Sequence, residues 1–193
     1  MGVEIEKKYK IADDVADPAG GRLRARLSAA GAEARGREFE ENTLYTGPNL
    51  ERGGRVLRLR RVGGRAVLTF KERLPTASLV KHHREDETGV EDAEALATIL
   101  EALGYRPTLV YEKRRETFRL QGVEVVIDEL PFGLFVEIEG EEAVIEKVES
   151  LLGLSDAEAL LTTYPQLARL HGTKNGEQVE SRFARARGST AEG

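Results

Sequence analysis

The feature that most constrains the fold of this chain is a two-residue alternation of charged and apolar side chains. It recurs in the segments 3–6, 56–60, 66–71, 116–120, 123–127 and 135–139. Successive side chains of a β-strand point to opposite faces, so each segment predicts a strand with one charged and one apolar face. The dipeptides Gly63-Gly64 and Gln121-Gly122 separate neighbouring segments at hairpin spacing. The pattern therefore predicts an antiparallel sheet.

Three other segments have apolar residues at helical spacing and predict helices that can cover the apolar strand faces. They run from Asp17 to Gly31, from Asp92 to Gly104 and from Glu141 to Gly153. Ser155 and Glu158 have the spacing of a capping box, which predicts a short fourth helix that ends before Pro165. Strands and helices together predict an α+β chain.

The charged strand faces carry like-charged neighbours at positions i and i+2. The pairs are Glu4 and Glu6, Arg58 and Arg60, Glu85 and Glu87, Lys113 and Arg115, and Glu137 and Glu139. On a single strand such a face is ordinary solvated surface. Its recurrence on at least five segments favours a shared polar cavity, because adjacent like charges repel unless a counter-charge lies between them. A polyphosphate with bound Mg²⁺ supplies counter-charges of both signs.

The composition limits the number of domains and excludes several classes of ligand and catalytic site. The 193 residues are 40% hydrophobic, which suffices for one domain core. Twenty-nine Lys plus Arg against 34 Asp plus Glu argue against a dedicated nucleic-acid binder. The absence of cysteine excludes disulfides, thiolate nucleophiles and zinc sites built on sulfur.

Localisation and domain boundaries follow from the distribution of apolar residues. Charges begin at Glu4, no secretory signal or membrane span is evident, and we expect a soluble cytoplasmic protein that binds neither membrane nor nucleic acid. From His171 the chain is poor in large apolar residues. We therefore expect one domain over 1–170 and a disordered tail over 171–193.

The order of these motifs resembles the CYTH superfamily of triphosphate tunnel metalloenzymes, whose first-strand signature is E-x-E-x-K. Here that signature reads Glu4, Glu6 and Lys8. The likeness extends over about residues 1–168, through GGRVLRLRR, VLTFKE, LEALG, EKRRETFRL, VVIDELPFGLFVEIEG and TYPQL. The series is most similar to the subgroup that contains the class IV adenylate cyclases.

The resemblance implies an eight-stranded antiparallel barrel, open at both ends, with helices packed outside and inward charges that bind a triphosphate. Phosphate oxygens would be bound by Lys8, Arg58, Arg60, Lys71, Lys113 and Arg115. Mg²⁺ or Mn²⁺ would be bound by Glu4, Glu6, Asp128, Glu137 and Glu139. Catalytic roles would fall to Lys8, Glu6 and Glu85, with Glu87 as the alternative to Glu85.

Two positions depart from the family pattern, and several histidines and tyrosines near the predicted site are interpreted as structural residues. Asn42 and Thr46 stand where relatives more often have aspartate. His82 and His83 lie beside the acidic strand, but adjacent residues point to opposite faces, and neither is assigned to the site. The tyrosines are expected to pack rather than to stack on a base: Tyr45, Tyr111 and Tyr164.

Three functions remain open at this point. The first is metal-dependent hydrolysis of inorganic tripolyphosphate or another small triphosphate, which needs no covalent nucleophile. The second is a class IV adenylate cyclase, in which the ribose 3′-hydroxyl of ATP attacks the innermost phosphorus and pyrophosphate leaves. The third is a non-catalytic polyphosphate-binding module. We expect a monomer or a homodimer in each case.

Overall fold

The computed structural model describes residues 5–11, 20–50, 54–73, 83–155, 157 and 159–184. In chain order the elements are β1 Glu6–Ile11, α1 Gly21–Ala29, β2 Glu33–Thr46, β3 Arg55–Val62, β4 Arg65–Arg73, β5 His83–Val90, α2 Ala93–Ala102, β6 Arg106–Leu120, β7 Val123–Leu130, β8 Gly133–Glu139, α3 Glu142–Leu152, α4 Tyr164–His171, β9 Thr173–Asn175 and β10 Gln178–Ser181.

Eight strands form one antiparallel sheet in the order β1-β8-β7-β6-β2-β3-β4-β5. This confirms the predicted architecture of eight antiparallel strands with external helices. Within the described residues, the edge strands β1 and β5 are not hydrogen-bonded to each other, so the barrel-like sheet has a seam there. Strand alternation and the ion pairs between strands place one set of charged side chains on a common inner face, including those of Lys8, Arg60, Lys113 and Glu137.

Two predicted hairpins are present, and both have two-residue turns with positive φ. Gly63 and Gly64 join β3 to β4 at φ 53° and 77°, and Gln121 and Gly122 join β6 to β7 at φ 51° and 93°. Such turns match the right-handed twist of paired strands and fix their register. The register in turn sets which inner side chains face each other.

The outer face of the sheet carries two apolar cores. Helices α1 and α3 cover β1, β6, β7 and β8, and the fully buried residues at this interface include Leu27, Ile145, Val125 and Ile138. Helix α2 covers β2, β3 and β4, where Leu59 is completely buried near Leu100. Because the apolar faces are covered from outside, the charged faces must line the interior.

The predicted helix boundaries hold for α2 and α3 and fail for the fourth helix. The caps lie where expected, since Asp92 accepts hydrogen bonds from the backbone at the start of α2 and Gly153 ends α3 in the left-handed conformation. Helix α4 begins only at Tyr164, and Pro165 lies in its first turn instead of ending a helix. Thr163 and Gln166 form its capping box, so a different pair from the predicted one provides the cap.

The segment expected to be a disordered tail is ordered through its first part. Strands β9 and β10 form a hairpin, and β10 pairs in parallel with β6, placing Val179 opposite Leu109 and Ser181 opposite Tyr111. The prediction of disorder over 171–184 is therefore wrong, and residues 185–193 lie outside the described ones. No helix among the described residues is long and apolar enough to cross a membrane.

Candidate active site

The inner strand faces bring opposite charges directly across from each other. The strand register places Lys8 opposite Glu137 and Glu40 opposite Lys113. All four side chains are buried, with at most 8% of each residue exposed. Burial of this many charges is tolerated only when they are paired or await a ligand.

Asp128 is the centre of the strongest ion-pair network. It is completely buried, and Arg115 donates two hydrogen bonds to it, from Nε at 2.8 Å and from Nη2 at 2.6 Å. Lys113 Nζ lies 3.4 Å from the same carboxylate. Burial alone would raise the pKa of Asp128, but the hydrogen bonds from Arg115 and the charge of Lys113 hold that pKa below its ordinary value.

Glu137 links this network to the first strand. Its carboxylate accepts a hydrogen bond from Arg115 at 2.8 Å and lies 3.2 Å from Lys8 Nζ. Burial, followed by the neighbouring charge of Asp128, raises the pKa of Glu137. The charges of Lys8 and Arg115 lower that pKa in turn, but by less than burial and Asp128 together raise it.

A second network lies on β3, β4 and β5. Arg58 Nη2 donates to Thr69 Oγ1 at 3.3 Å, and Thr69 Oγ1 donates to Glu87 at 2.6 Å. The hydrogen bond from Thr69 is the main cause of the lowered pKa of Glu87. Lys71 forms an ion pair with Glu85 at 2.6 Å. Both acidic residues of β5 thus share the inner face, with Glu87 the more tightly engaged.

Three buried polar atoms on β2 and β3 have no hydrogen-bond partner among the residues that the structure describes. They are Arg58 Nε, Arg60 Nε and Asn42 Oδ1. Arg60 Nε lies 3.8 Å from Glu40, which is an ion pair without a hydrogen bond. A buried guanidinium N–H without an acceptor costs free energy, so these donors mark a place where an anionic ligand oxygen fits.

An apolar cluster, here called the floor, lies beside the inner charges. Leu44, Leu109 and Phe135 form a buried cluster there with Tyr111 and Tyr164. Tyr164 comes from α4, and its ring lies 4.2 Å from Lys8 Nζ. The expected packing role of the tyrosines is confirmed, and Tyr164 also supports the Lys8 ammonium group through a cation–π contact.

The predicted metal ligands are brought together only in part. Glu6 lies directly opposite Glu139, whose other neighbour across the sheet is Glu124. Glu4 lies outside the described residues, as does His82, and the side chain of His83 is not described. Among the described residues, no group of three or more acidic or histidine side chains is close enough to hold a metal ion alone. The carboxylates nevertheless supply the hard oxygen ligands that Mg²⁺ and Mn²⁺ prefer.

Sequence reasoning missed two inner residues, Glu40 and Thr69, and noted Asn42 only as a departure from the family pattern. Glu40 and Asn42 belong to β2, whose residues 33–41 are mostly polar, so no charged–apolar alternation marks that part of the strand. The available signal was their own two-residue spacing with Glu38. Thr69 could have been found as the inner neighbour of Lys71 on β4.

Comparison with known proteins adds a family and several relatives. The family model described as "CYTH domain" matches residues 3–164. A curated protein of Methanocaldococcus jannaschii, named as a candidate adenylate cyclase, is 26% identical over 154 residues, covering 78% of this chain and 83% of its own length.

Two solved structures share the fold. The PH1012 protein of Pyrococcus horikoshii has a TM-score of 0.70 and 24% identity, and the match covers 85% of this chain and 98% of that one. A Hippeastrum protein, described as a candidate adenylyl cyclase with a dominant triphosphatase activity, has a TM-score of 0.62 and 18% identity, covering 83% of this chain and 92% of that one.

Proposed function

The chain belongs to the CYTH domain family, and on this basis we propose that it is a metal-dependent phosphohydrolase that acts on a triphosphate. The substrate is inorganic tripolyphosphate or a small organic or nucleoside triphosphate. The observation that carries this proposal is the pair of buried guanidinium donors on β3, Arg58 Nε and Arg60 Nε, which have no hydrogen-bond acceptor among the described residues and share the inner sheet face with the other cations. Phosphate oxygens are the acceptors that such donors bind best.

The phosphate chain is bound by cations from four strands. Lys8 comes from β1, Arg58 and Arg60 from β3, Lys71 from β4, and Lys113 and Arg115 from β6. Each of them except Arg60 has a carboxylate within 3.6 Å in the ligand-free protein. Triphosphate binding therefore exchanges internal carboxylates for phosphate oxygens, which keeps the cations paired in both states.

Carboxylates at the Glu6 end of the interior would hold Mg²⁺ or Mn²⁺. Glu6, Glu137 and Glu139 lie on adjacent positions of β1 and β8, and Glu4 precedes them by one inner position in the sequence. Two carboxylates with substrate oxygens and water complete the coordination that Mg²⁺ usually takes. When bound, the metal ion neutralises charge that develops on the phosphates.

The side chains of this protein act by positioning and electrostatics. Arginine and lysine side chains orient the phosphate chain and stabilise the loose transition state of phosphoryl transfer. Lys8 is held between Glu137 and the Tyr164 ring and contacts the reacting phosphate or its water. Glu6 and Glu85 are proposed as the acidic catalytic groups that orient the attacking water. No protein nucleophile is required.

Phosphate release from tripolyphosphate tests the proposal. Wild-type protein and the Glu6→Ala variant are assayed with Mg²⁺, with Mn²⁺ and with excess EDTA. Glu101→Ala, which changes an exposed glutamate on α2, is the matched control. We expect metal-dependent release by the wild type and the control and a loss of about two orders of magnitude or more in Glu6→Ala. Equal and negligible rates for all three proteins would end the proposal, and tight binding without turnover would indicate a polyphosphate-binding module.

A class IV adenylate cyclase is the second candidate, and the name of the Methanocaldococcus jannaschii relative favours it. The same cations would hold the ATP phosphates, while the orientation of the ribose decides between cyclisation and hydrolysis. Chromatography of ATP incubations separates the two reactions. Cyclic AMP with pyrophosphate indicates cyclisation, and ADP with phosphate indicates hydrolysis.

A further inference from the structure

The end of the described chain extends the sheet beside β6 and then contacts the outer face of the β2–β6 pair. Residues 165–184 lie beyond the family match at 3–164, and β10 runs along β6. The residues that follow β10 carry two specific anchors, Arg182 and Phe183, both of which bond to Glu112. These contacts tie the segment to the strand that carries Lys113 and Arg115 on its opposite face.

Arg182 resolves a conflict between like charges. Glu41 of β2 and Glu112 of β6 are directly opposite each other in the ladder, where two carboxylates repel. Arg182 Nη1 lies 2.5 Å from Glu41 and 2.9 Å from Glu112, between the two. Its Nε also bonds to Glu180 at 2.7 Å, which holds the guanidinium group in place. Arg61 lies 3.6 Å from Glu41, and within the described part of the chain Arg182 is the cation that contacts both carboxylates.

The inner neighbours of this acidic pair belong to the candidate site. Glu40 and Lys113 are the adjacent ladder pair, and their side chains point inward, 3.5 Å apart. Lys113 also contacts Asp128, and Glu40 contacts Arg60. A change in the spacing of β2 and β6 at the outer pair is therefore transmitted to the inner pair by the shared backbone.

Phe183 adds a second anchor that keeps Arg182 in register. Its backbone N–H donates to Glu112 Oε2 at 2.9 Å, and its ring lies 4.0 Å from the Arg114 guanidinium. The Phe39 ring of β2 packs against it at 6.4 Å between centroids. The segment thus contacts both strands that it joins.

We propose that Arg182 is a positioning residue for triphosphate binding: by neutralising Glu41 and Glu112 outside the sheet, it sets the spacing of β2 and β6 and hence of Glu40 and Lys113 inside. The inference rests on the proposed function for the identity of the ligand. It assigns a role in ligand binding to a residue that lies beyond the family match at 3–164.

The test combines a charge deletion with its rescue. Tripolyphosphate affinity is measured by calorimetry in EDTA, at a temperature where circular dichroism shows each protein folded. We expect Arg182→Ala to weaken binding by about three- to tenfold and the double variant Arg182→Ala/Glu112→Gln to restore it to within about twofold of wild type. Arg169→Ala is the control, because this α4 arginine contacts only Thr108 among the bonds described.

Hydrogen exchange gives a readout that needs no ligand. Amides of β2 and β6 around Glu40 and Lys113 should exchange faster in Arg182→Ala and return toward wild-type rates in the double variant. Unchanged affinity in Arg182→Ala, with or without a lower melting temperature, would overturn the positioning role, as would failure of Glu112→Gln to rescue. A wild-type protein that binds no tripolyphosphate refutes the proposed function, and unaltered exchange in Arg182→Ala then refutes this inference separately.

Discussion

Replacing Asn42 by aspartate adds one negative charge to the interior with almost no change in shape. Asn42 is completely buried, lies opposite Arg60 in the ladder, and donates to Glu40 at 3.3 Å while its Oδ1 has no partner. In Asn42→Asp the new carboxylate faces Arg60, whose Nε has no hydrogen-bond acceptor. The variant thus gives Arg60 an internal counter-ion that competes with the phosphate.

The size of the effect follows from Coulomb's law. A unit charge roughly 6 Å from a bound phosphate charge, at an effective dielectric constant of about 20, contributes about 3 kcal/mol of repulsion. That free energy corresponds to about a hundredfold loss of affinity, and partial pairing of the new carboxylate with Arg60 reduces the expected loss to about ten- to hundredfold. Salt should change this little, because the site is buried.

Calorimetric titration with tripolyphosphate in EDTA measures the loss directly. Asn49→Asp is the matched control, since Asn49 is exposed in the β2–β3 connection and the substitution changes the net charge equally. Asn42→Ala should bind with nearly wild-type affinity because it adds no charge. If Asn42→Asp bound tripolyphosphate within about twofold of wild type, the placement of the phosphate chain beside Arg60 would be refuted.

Three further predictions concern stability. Burial raises the pKa of the hydroxyls of Tyr9, Tyr111 and Tyr164 above the ordinary value, so the folded state favours their protonated form. Their contribution to the free energy of unfolding is complete below about pH 10 and is lost as the pH rises above that value. Circular dichroism should therefore show unfolding over the same pH range in which phenolate absorbance appears. Tyr164→Ala should lower the free energy of unfolding by about 3–5 kcal/mol because it leaves a cavity in the floor. Urea denaturation measures this loss, and a value below about 1 kcal/mol would contradict the buried position of Tyr164. Asp92→Ala should lower the free energy of unfolding by about 1 kcal/mol because two backbone N–H groups at the start of α2 lose their acceptor. An unchanged melting temperature would contradict the role of Asp92 as the helix cap.

Much of the fold follows from periodicity that is local in sequence. The alternation in 56–60 alone predicts that Arg58 and Arg60 share one face and Leu57 and Leu59 the other, and the structure buries both leucines under α2. The turn glycines predict the β3–β4 hairpin because only a few residue types adopt positive φ at low cost. Such features depend on neighbours within a few positions.

The features that the sequence predicted wrongly or missed depend on partners distant in sequence. Pro165 can end a helix or begin one. Here it begins α4, because Thr163 caps the helix and Tyr164 packs into the floor. The β10 strand has little apolar content of its own, and its pairing with β6 is supported by Arg182 meeting carboxylates 70 and 141 residues away. No local pattern reports such contacts.

By itself, the sequence determined which side chains share a face, because a β-strand repeats every two residues whatever surrounds it. The contacts between those charges depend on the packed chain: Arg115 binds Asp128, Lys8 lies between Glu137 and Tyr164, and two arginine N–H groups have no acceptor among the described residues. Those pairings depend on strand order and register, which are set by hydrogen bonds between segments far apart in the chain.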